Sequence, residues 1–158
     1  MPKTAILCAL AACISFPALA DWQYTRWGMS PAEAIEASSG ALRAPTDAER
    51  RGLRRQDRIE PGAIGTYEVG GLAYSVDLGF DERGKLALVA LKLLDWGRRH
   101  EVQDSLIGTY GAPIESRRDS YGVDEAWRDA ARGNLVRLYV APAIRSLTVL
   151  YSPLGSGL

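Results

Sequence analysis

The chain has 158 residues, of which 47% are hydrophobic, and its 19 basic residues are matched by 19 acidic ones. This length suits one folded domain, and the charge balance excludes a general electrostatic attraction to nucleic acid or anionic lipid. The two cysteines, Cys8 and Cys13, both lie near the amino terminus. The rest of the chain therefore has no thiol for a disulfide, a nucleophile or a metal ligand.

Residues 1–20 have the pattern of a secretory signal peptide. Lys3 supplies the positive start, Thr4 to Phe16 is an apolar stretch, and Ala18-Leu19-Ala20 is a small-x-small cleavage site. The apolar stretch is shorter than the roughly 20 residues that cross a bilayer, so no transmembrane segment is predicted. We expect cleavage after Ala20, a single domain over residues 21–158, and a periplasmic or secreted location.

Leu10-Ala11-Ala12-Cys13 offers an alternative, because it looks like a lipoprotein box whose cysteine becomes acylated. The apolar stretch before Cys13 is short for a signal. Ile14 to Pro17, which follow it, are largely apolar where a lipoprotein has a polar tether. Both features favour cleavage after Ala20, and a lipid anchor to the outer membrane through Cys13 is the alternative location.

Two capping boxes mark helix starts. In Ser30 to Glu33 the serine side chain can accept from the glutamate amide while the glutamate returns the bond. This predicts a helix that stops near Gly40, a residue that readily adopts the conformation ending a helix. Thr46 to Glu49 repeats the pattern within Ala41 to Pro61, a segment predicted as a loop with one or two helical turns.

Alternation of apolar and polar residues predicts three strands in the middle of the chain and three at its end. A helix over Arg98 to Tyr110 separates the two groups. The alternation slips between Leu86 and Val89, which indicates a β-bulge or a strand covered on both faces. The six predicted strands are Ile64–Val69, Leu72–Phe80, Lys85–Leu94, Ser120–Arg128, Leu135–Ala141 and Ser146–Ser152.

The order of these elements predicts the fold class. Runs of antiparallel strands with interspersed helices are typical of α+β domains. Because the order helix, three strands occurs twice, we predict a tandem α-β-β-β repeat, with two helices packed on one face of a mainly antiparallel sheet of about six strands. The predicted core contains Ile35, Val76, Leu78, Phe80, Val89, Leu106, Leu138 and Val149.

Short motifs are distributed over most of the chain, at Trp27 to Glu33, Leu106 to Pro113, Trp127, Asn134 to Tyr139 and Leu147 to Tyr151. In these motifs the chain resembles small, uncharacterised exported bacterial proteins. Its α-β-β-β order is similar in architecture to the β-lactamase inhibitor protein and to the small lipoproteins of outer-membrane protein assembly. The resemblance implies a tandem α-β-β-β fold and transfers no site residue.

The sequence contains no recognisable catalytic, metal or nucleotide signature. His100 is the only histidine, so it has no second histidine with which to share a metal. Asp119, Asp124 and Glu125, with Asp77 on a predicted strand, are the only credible groups for a carboxylate-based hydrolase. We therefore expect no enzyme activity, no metal and no cofactor, and keep the hydrolase as an alternative.

The four tryptophans, Trp22, Trp27, Trp96 and Trp127, are candidates for a sugar-binding set. Most are expected in the core, because aromatic side chains bury a large area. Trp127 lies on the inward face of a predicted strand, whereas Trp22 and Tyr24, near the predicted mature amino terminus, are expected to be the more exposed pair.

The predicted binding site is the sheet face that the helices leave open. The strand positions that alternate with the core there are Ser75, Asp77, Arg137, Tyr139 and Thr148. Because Arg and Tyr are enriched where proteins dock, the predicted function is a non-catalytic protein-interaction module of the inhibitor, immunity or envelope-assembly type. Its partner is expected to be an exported or envelope protein, and a binder of a small molecule or peptidoglycan fragment is the alternative.

Overall fold

The computed structural model describes residues 21–53 and 58–156, so the predicted signal peptide and its lipoprotein alternative lie outside the described residues. The helices are α1 (Pro31–Ala37), α2 (Asp47–Gly52) and α3 (Arg99–Tyr110). The strands are β1 (Asp21–Trp22), β2 (Thr25–Arg26), β3 (Leu42–Arg43), β4 (Glu60–Val69), β5 (Leu72–Phe80), β6 (Leu86–Leu93), β7 (Glu115–Arg118), β8 (Val123–Asp129), β9 (Asn134–Ala141) and β10 (Ser146–Pro153).

In the described part of the chain, eight strands form one antiparallel sheet in the order β3-β4-β5-β6-β10-β9-β8-β7, while β1 and β2 form a separate hairpin. Each half of the sheet is a four-stranded meander. The two meanders join where β6 pairs with β10. The predicted α+β class and the mainly antiparallel sheet are confirmed.

The prediction of about six strands is wrong. The six predicted strands are present as β4, β5, β6, β8, β9 and β10, and the two additional strands, β3 and β7, lie at the sheet edges. β3 has two residues, and all four residues of β7 are polar and exposed. Neither strand therefore shows the apolar alternation that reveals a half-buried strand. The strand order does not establish the tandem repeat, which stays a prediction.

Both capping boxes form as predicted. At α1, Glu33 N–H donates to the Ser30 hydroxyl and Ser30 N–H donates to the Glu33 carboxylate. Thr46 and Glu49 make the same exchange at α2. α3 is the longest helix with 12 residues, and within residues 21–53 and 58–156 no helix combines the length and apolar character that a membrane crossing requires.

Helices α1 and α3 cover one face of the sheet, together with the β1–β2 hairpin. Ala34 of α1 and Val102 and Leu106 of α3 belong to one core cluster with the inward residues of the central strands. Seven of the eight predicted core residues are buried. Ile35 is the exception and is only partly buried, because Ala34 is the α1 residue that turns fully inward.

The slip in the β6 alternation is a β-bulge. Gly79 of β5 pairs with Leu88, but the next residue, Phe80, pairs with Leu86, so β6 has one extra residue at this point. As a result Leu86 and Val89, three positions apart, both join the core cluster. The bulge also sets which later residues of β6 face the open side of the sheet.

Candidate functional site

The open face of the sheet carries two rows of side chains that run across the strands. In each row, every residue is the cross-strand partner of the next. The first, here the Tyr139 row, is Ser75, Lys92, Thr148, Tyr139, Asp124 and Arg117. The second, here the Arg137 row, is Asp77, Ala90, Leu150, Arg137, Ala126 and Glu115. All five predicted binding residues lie in these two rows.

Three of the predicted residues are brought together on β9 and β10. Thr148 is the direct cross-strand partner of Tyr139. The guanidinium of Arg137 lies 5.7 Å from the centre of the Tyr139 ring, which is a cation–π distance. Arg137, Tyr139 and Thr148 therefore form one continuous patch.

Ser75 and Asp77 lie apart from that patch. Lys92 separates Ser75 from Thr148, and two apolar residues separate Asp77 from Arg137. Burial raises the pKa of the Asp77 carboxyl, and the nearby Lys92 opposes this shift. Sequence reasoning missed Lys92 because the β6 bulge had first to be placed before that residue could be assigned to the open face.

Arg137 is held by neighbours on three sides. Its guanidinium nitrogen lies 3.3 Å from an oxygen of Asp124 and 3.7 Å from an oxygen of Glu115, and Tyr139 flanks it. The side chain remains 27% exposed, while its Nε is buried without a hydrogen-bond partner among the described residues. A guanidinium that is already ordered loses little conformational entropy when a partner docks on it.

Two exposed apolar side chains lie in the loops at the strand ends next to the Tyr139 row, Tyr121 between β7 and β8 and Ile144 between β9 and β10. Tyr121 is 83% exposed and Ile144 is 66% exposed. Their loops are neighbours, since the backbone of Gly122 approaches the carbonyl of Val140 so closely that no Cβ fits there. The β7–β10 half of the open face therefore combines its polar rows with exposed apolar side chains in the adjoining loops.

Asp124 and Glu125, which were candidates for a carboxylate pair, face opposite sides of β8, since successive strand residues alternate. Glu125 is buried on the helix side and accepts from Gln103 at 2.9 Å, Ser116 at 3.3 Å and Arg118 at 3.2 Å. The two carboxylates do not face one substrate position. Asp124 and Glu125 therefore cannot be the carboxylate pair of the hydrolase that was kept as an alternative.

The other candidate groups are Asp119 and His100. Asp119 accepts from the N–H of Tyr121 at 2.8 Å and of Gly122 at 3.1 Å, and so shapes the loop between β7 and β8. His100 is exposed near the start of α3. Within the described ranges, no group of three or more His, Cys, Asp or Glu side chains is placed to hold a metal ion.

A second candidate site lies on the covered face, between α3, the β1–β2 hairpin, the β8–β9 turn and the sheet. It is a cleft of about 440 Å³, within the roughly 300–1,000 Å³ of small-molecule sites. We call it the tyrosine cleft, after the aromatic residues in its lining, which are Trp22, Tyr67, Tyr74, Tyr110 and Tyr151.

The expectation that Trp22 and Tyr24 are the exposed aromatic pair is wrong. Trp22 is buried and Tyr24 is partly buried, because the β1–β2 hairpin folds onto the covered face of the sheet. The Trp22 ring meets Tyr24 and Tyr67 edge-on, with centroid distances of 5.9 and 5.4 Å. Tyr67 in turn stacks on Tyr74 at 6.4 Å. Trp127 is buried as predicted.

Burial raises the pKa of several tyrosine hydroxyls at this site. The shift is largest at Tyr151, where the neighbouring Tyr110 adds to the effect of burial. The pKa of Tyr74 is raised as well, mainly by burial. These hydroxyls therefore keep their protons near neutral pH and can donate as well as accept.

Comparisons of the chain with protein families, with curated proteins and with solved structures found no match.

Proposed function

We propose that this protein is a non-catalytic protein-interaction module that docks a folded partner on the β7–β10 half of its open sheet face. The observation that carries the proposal is the Arg137–Tyr139 pair of β9, in which Asp124 and Glu115 hold Arg137 in place while both side chains stay accessible. Arg and Tyr side chains dominate the energetic centres of protein interfaces, since each has a broad contact surface with a polar end.

The charges of this half of the face favour a protein partner over a polyanion. Arg117 and Arg137 alternate there with Glu115 and Asp124 along and between the two rows. A nucleic acid would require a surface of one sign. A folded protein can match alternating charges and also cover the exposed apolar side chains of the adjoining loops.

The partner is proposed to be an exported or envelope protein, bound by an inhibitor, immunity or envelope-assembly type of module. The support is the signal-like pattern of residues 1–20, which predicts a periplasmic or secreted protein. Intact-mass measurement of protein recovered from outside the cytoplasm is expected to give a chain beginning at Asp21. A species that carries lipid on Cys13 would instead indicate a protein anchored to the outer membrane.

A photo-crosslinking amino acid at position 139 tests the docking face in living cells. We expect a discrete crosslinked protein at this position and none at position 107, where Ile107 is 43% exposed on α3 and on the opposite side of the sheet. The crosslinked protein is then purified and titrated against the full mature chain by calorimetry.

The double variant Arg137→Ala/Tyr139→Ala is expected to keep its fold and to bind that partner at least about tenfold more weakly, as for residues at the centre of an interface. The matched control is Arg99→Ala, because Arg99 also lies over an aromatic ring, that of Trp96 at 4.9 Å, on another surface. If the double variant binds as tightly as the unmodified chain, the open face is not the docking surface.

A further inference from the structure

We propose that the tyrosine cleft is a binding site for a neutral saccharide of about two sugar rings. This inference is independent of the open face, which lies on the other side of the sheet. It rests on the shape of the cleft, on the order of its aromatic rings and on the balance of its charges.

The cleft has an enclosed floor and an accessible mouth. Tyr74 and Leu91 of the sheet and Leu106 of α3 are buried in its floor and wall. Gln23 and Ser105, from the hairpin and from α3, are exposed at its mouth. A ligand can therefore enter between the hairpin and the helix without separation of the core elements.

The aromatic rings of the cleft are ordered by their contacts with one another. Trp22 meets Tyr67 at 5.4 Å and Tyr67 meets Tyr74 at 6.4 Å. The Nε2 of Gln23 also donates to the Tyr67 hydroxyl at 2.6 Å, which orients that ring at the mouth. Such rings combine an apolar body with a polar end, and a sugar ring has the same combination of C–H faces and hydroxyl edges.

The polar groups of the cleft favour a neutral ligand with several hydroxyls. Its two charged lining residues, Asp129 and Arg132, form an ion pair at 3.4 Å and so compensate each other. The tyrosine hydroxyls stay protonated, since burial raises the pKa of Tyr110 and Tyr151. A cleft with several uncharged donors and acceptors and no net charge disfavours both anions and pure hydrocarbons, because a polar group buried against hydrocarbon loses its partner.

The probes are the neutral disaccharides chitobiose, cellobiose and maltose, each titrated against the mature chain by calorimetry and by saturation-transfer NMR. We expect at least one of them to bind with a dissociation constant of about 10 mM or below, which corresponds to weak binding. Glucuronate and indole, a charged sugar and an apolar ring, are expected to bind more weakly than that disaccharide.

The decisive variant is Ser105→Trp, which fills the mouth of the cleft without removing a buried side chain. Binding of the disaccharide is expected to fall at least about tenfold, as for a ligand excluded from its pocket. The matched control is Asp104→Trp, since Asp104 is exposed on the same helix but does not line the cleft. Gln23→Ala, which removes only an exposed side chain and its bond to Tyr67, gives a second test should Ser105→Trp impair folding.

The proposal is overturned if none of the three disaccharides binds, if indole or glucuronate binds more tightly than they do, or if the occluding variant and its control bind equally. The variant Arg137→Ala/Tyr139→Ala is expected to bind the disaccharide normally. A loss of one of the two binding activities without the other would show that the cleft and the open face are separate sites. Either proposal can then fail while the other holds.

Discussion

At the scale of single residues, the open face contains a carboxyl group in an unfavourable position. Asp77 is half-buried on β5, and burial raises its pKa despite the nearby Lys92. A folded-state pKa above the unfolded value means that the folded chain favours the protonated acid. Asp77 therefore reduces stability as the pH rises above about 4, the ordinary value for an aspartate.

Asp77→Asn is accordingly expected to raise the free energy of unfolding at pH 7 and to leave it nearly unchanged at pH 3. The gain is expected to stay below about 1 kcal/mol, because water still reaches the side chain and screens its charge. Urea unfolding at both pH values measures the difference, with Asp104→Asn on an exposed helix position as control. A variant that is less stable at pH 7 would mean that the ionised carboxylate has a favourable partner.

Leu78 tests the assignment of the two sheet faces. It is fully buried on β5, between its cross-strand partners Ala63 and Val89. Leu78→Ala is expected to reduce the free energy of unfolding by roughly 2 to 5 kcal/mol, as for other large-to-small changes in a core. Leu94→Ala, at a side chain that is 60% exposed, is expected to cost under about 1 kcal/mol. Equal costs at the two positions would contradict the assignment.

At the scale of elements, the two capping boxes have the same chemistry but different surroundings. α1 buries Ala34 in the core, whereas no residue of α2 is buried. Loss of a cap reduces global stability only where the helix is packed, since an unpacked helix unfolds locally without exposing the core.

Ser30→Ala is therefore expected to lower the free energy of unfolding by about 1 kcal/mol, the usual cost of removing a serine cap. Thr46→Ala is expected to cost clearly less, even though Thr46 makes the same two bonds. Chemical denaturation gives the global values, and amide hydrogen exchange in α2 shows the local effect. Similar global losses for the two variants would show that α2 is more firmly attached than its exposure indicates.

Whether an element can be predicted from the sequence depends on how its side chains are buried. The sequence predicts β5 in full, because one of its faces is apolar and the other is not. It also predicts the starts of α1 and α2, because a capping box is a pattern of residues that are close together in the chain. β7 was missed since its four residues are polar and exposed, and its pairing with β8 is supported by bonds from Ser116 and Arg118 to Glu125, which no sequence pattern indicates. Edge strands are recognised by their neighbours in space, which a single sequence does not display.

The candidate sites show the same distinction. Arg137, Tyr139 and Thr148 of the open face could be predicted, because alternation along β9 and β10 assigns a face without any knowledge of strand order. The tyrosine cleft could not, since its aromatic residues come from β1, β4, β5, α3 and β10. Only the folding of the β1–β2 hairpin onto the sheet brings Trp22 to Tyr67, and no local pattern predicts that contact.

At the scale of the whole molecule, the buried tyrosines of the covered face make the free energy of unfolding depend on pH in the alkaline range. Burial raises the pKa of Tyr24, Tyr74, Tyr110 and Tyr151, the last of these most strongly. In the unfolded chain a tyrosine loses its proton near pH 10. Above that pH the folded state binds more protons than the unfolded state, so the free energy of unfolding must fall as the pH rises.

Tyr151→Phe is expected to weaken this dependence. A single tyrosine that stays protonated in the folded state contributes a slope of about 1.4 kcal/mol per pH unit above pH 10. We expect the unmodified chain to lose stability between pH 9 and 11, in guanidinium unfolding followed by fluorescence, and Tyr151→Phe to lose less. Tyr121→Phe, at a side chain that is 83% exposed, is expected to behave like the unmodified chain. A stability that is constant from pH 9 to 11 would contradict the raised pKa of the Tyr151 hydroxyl.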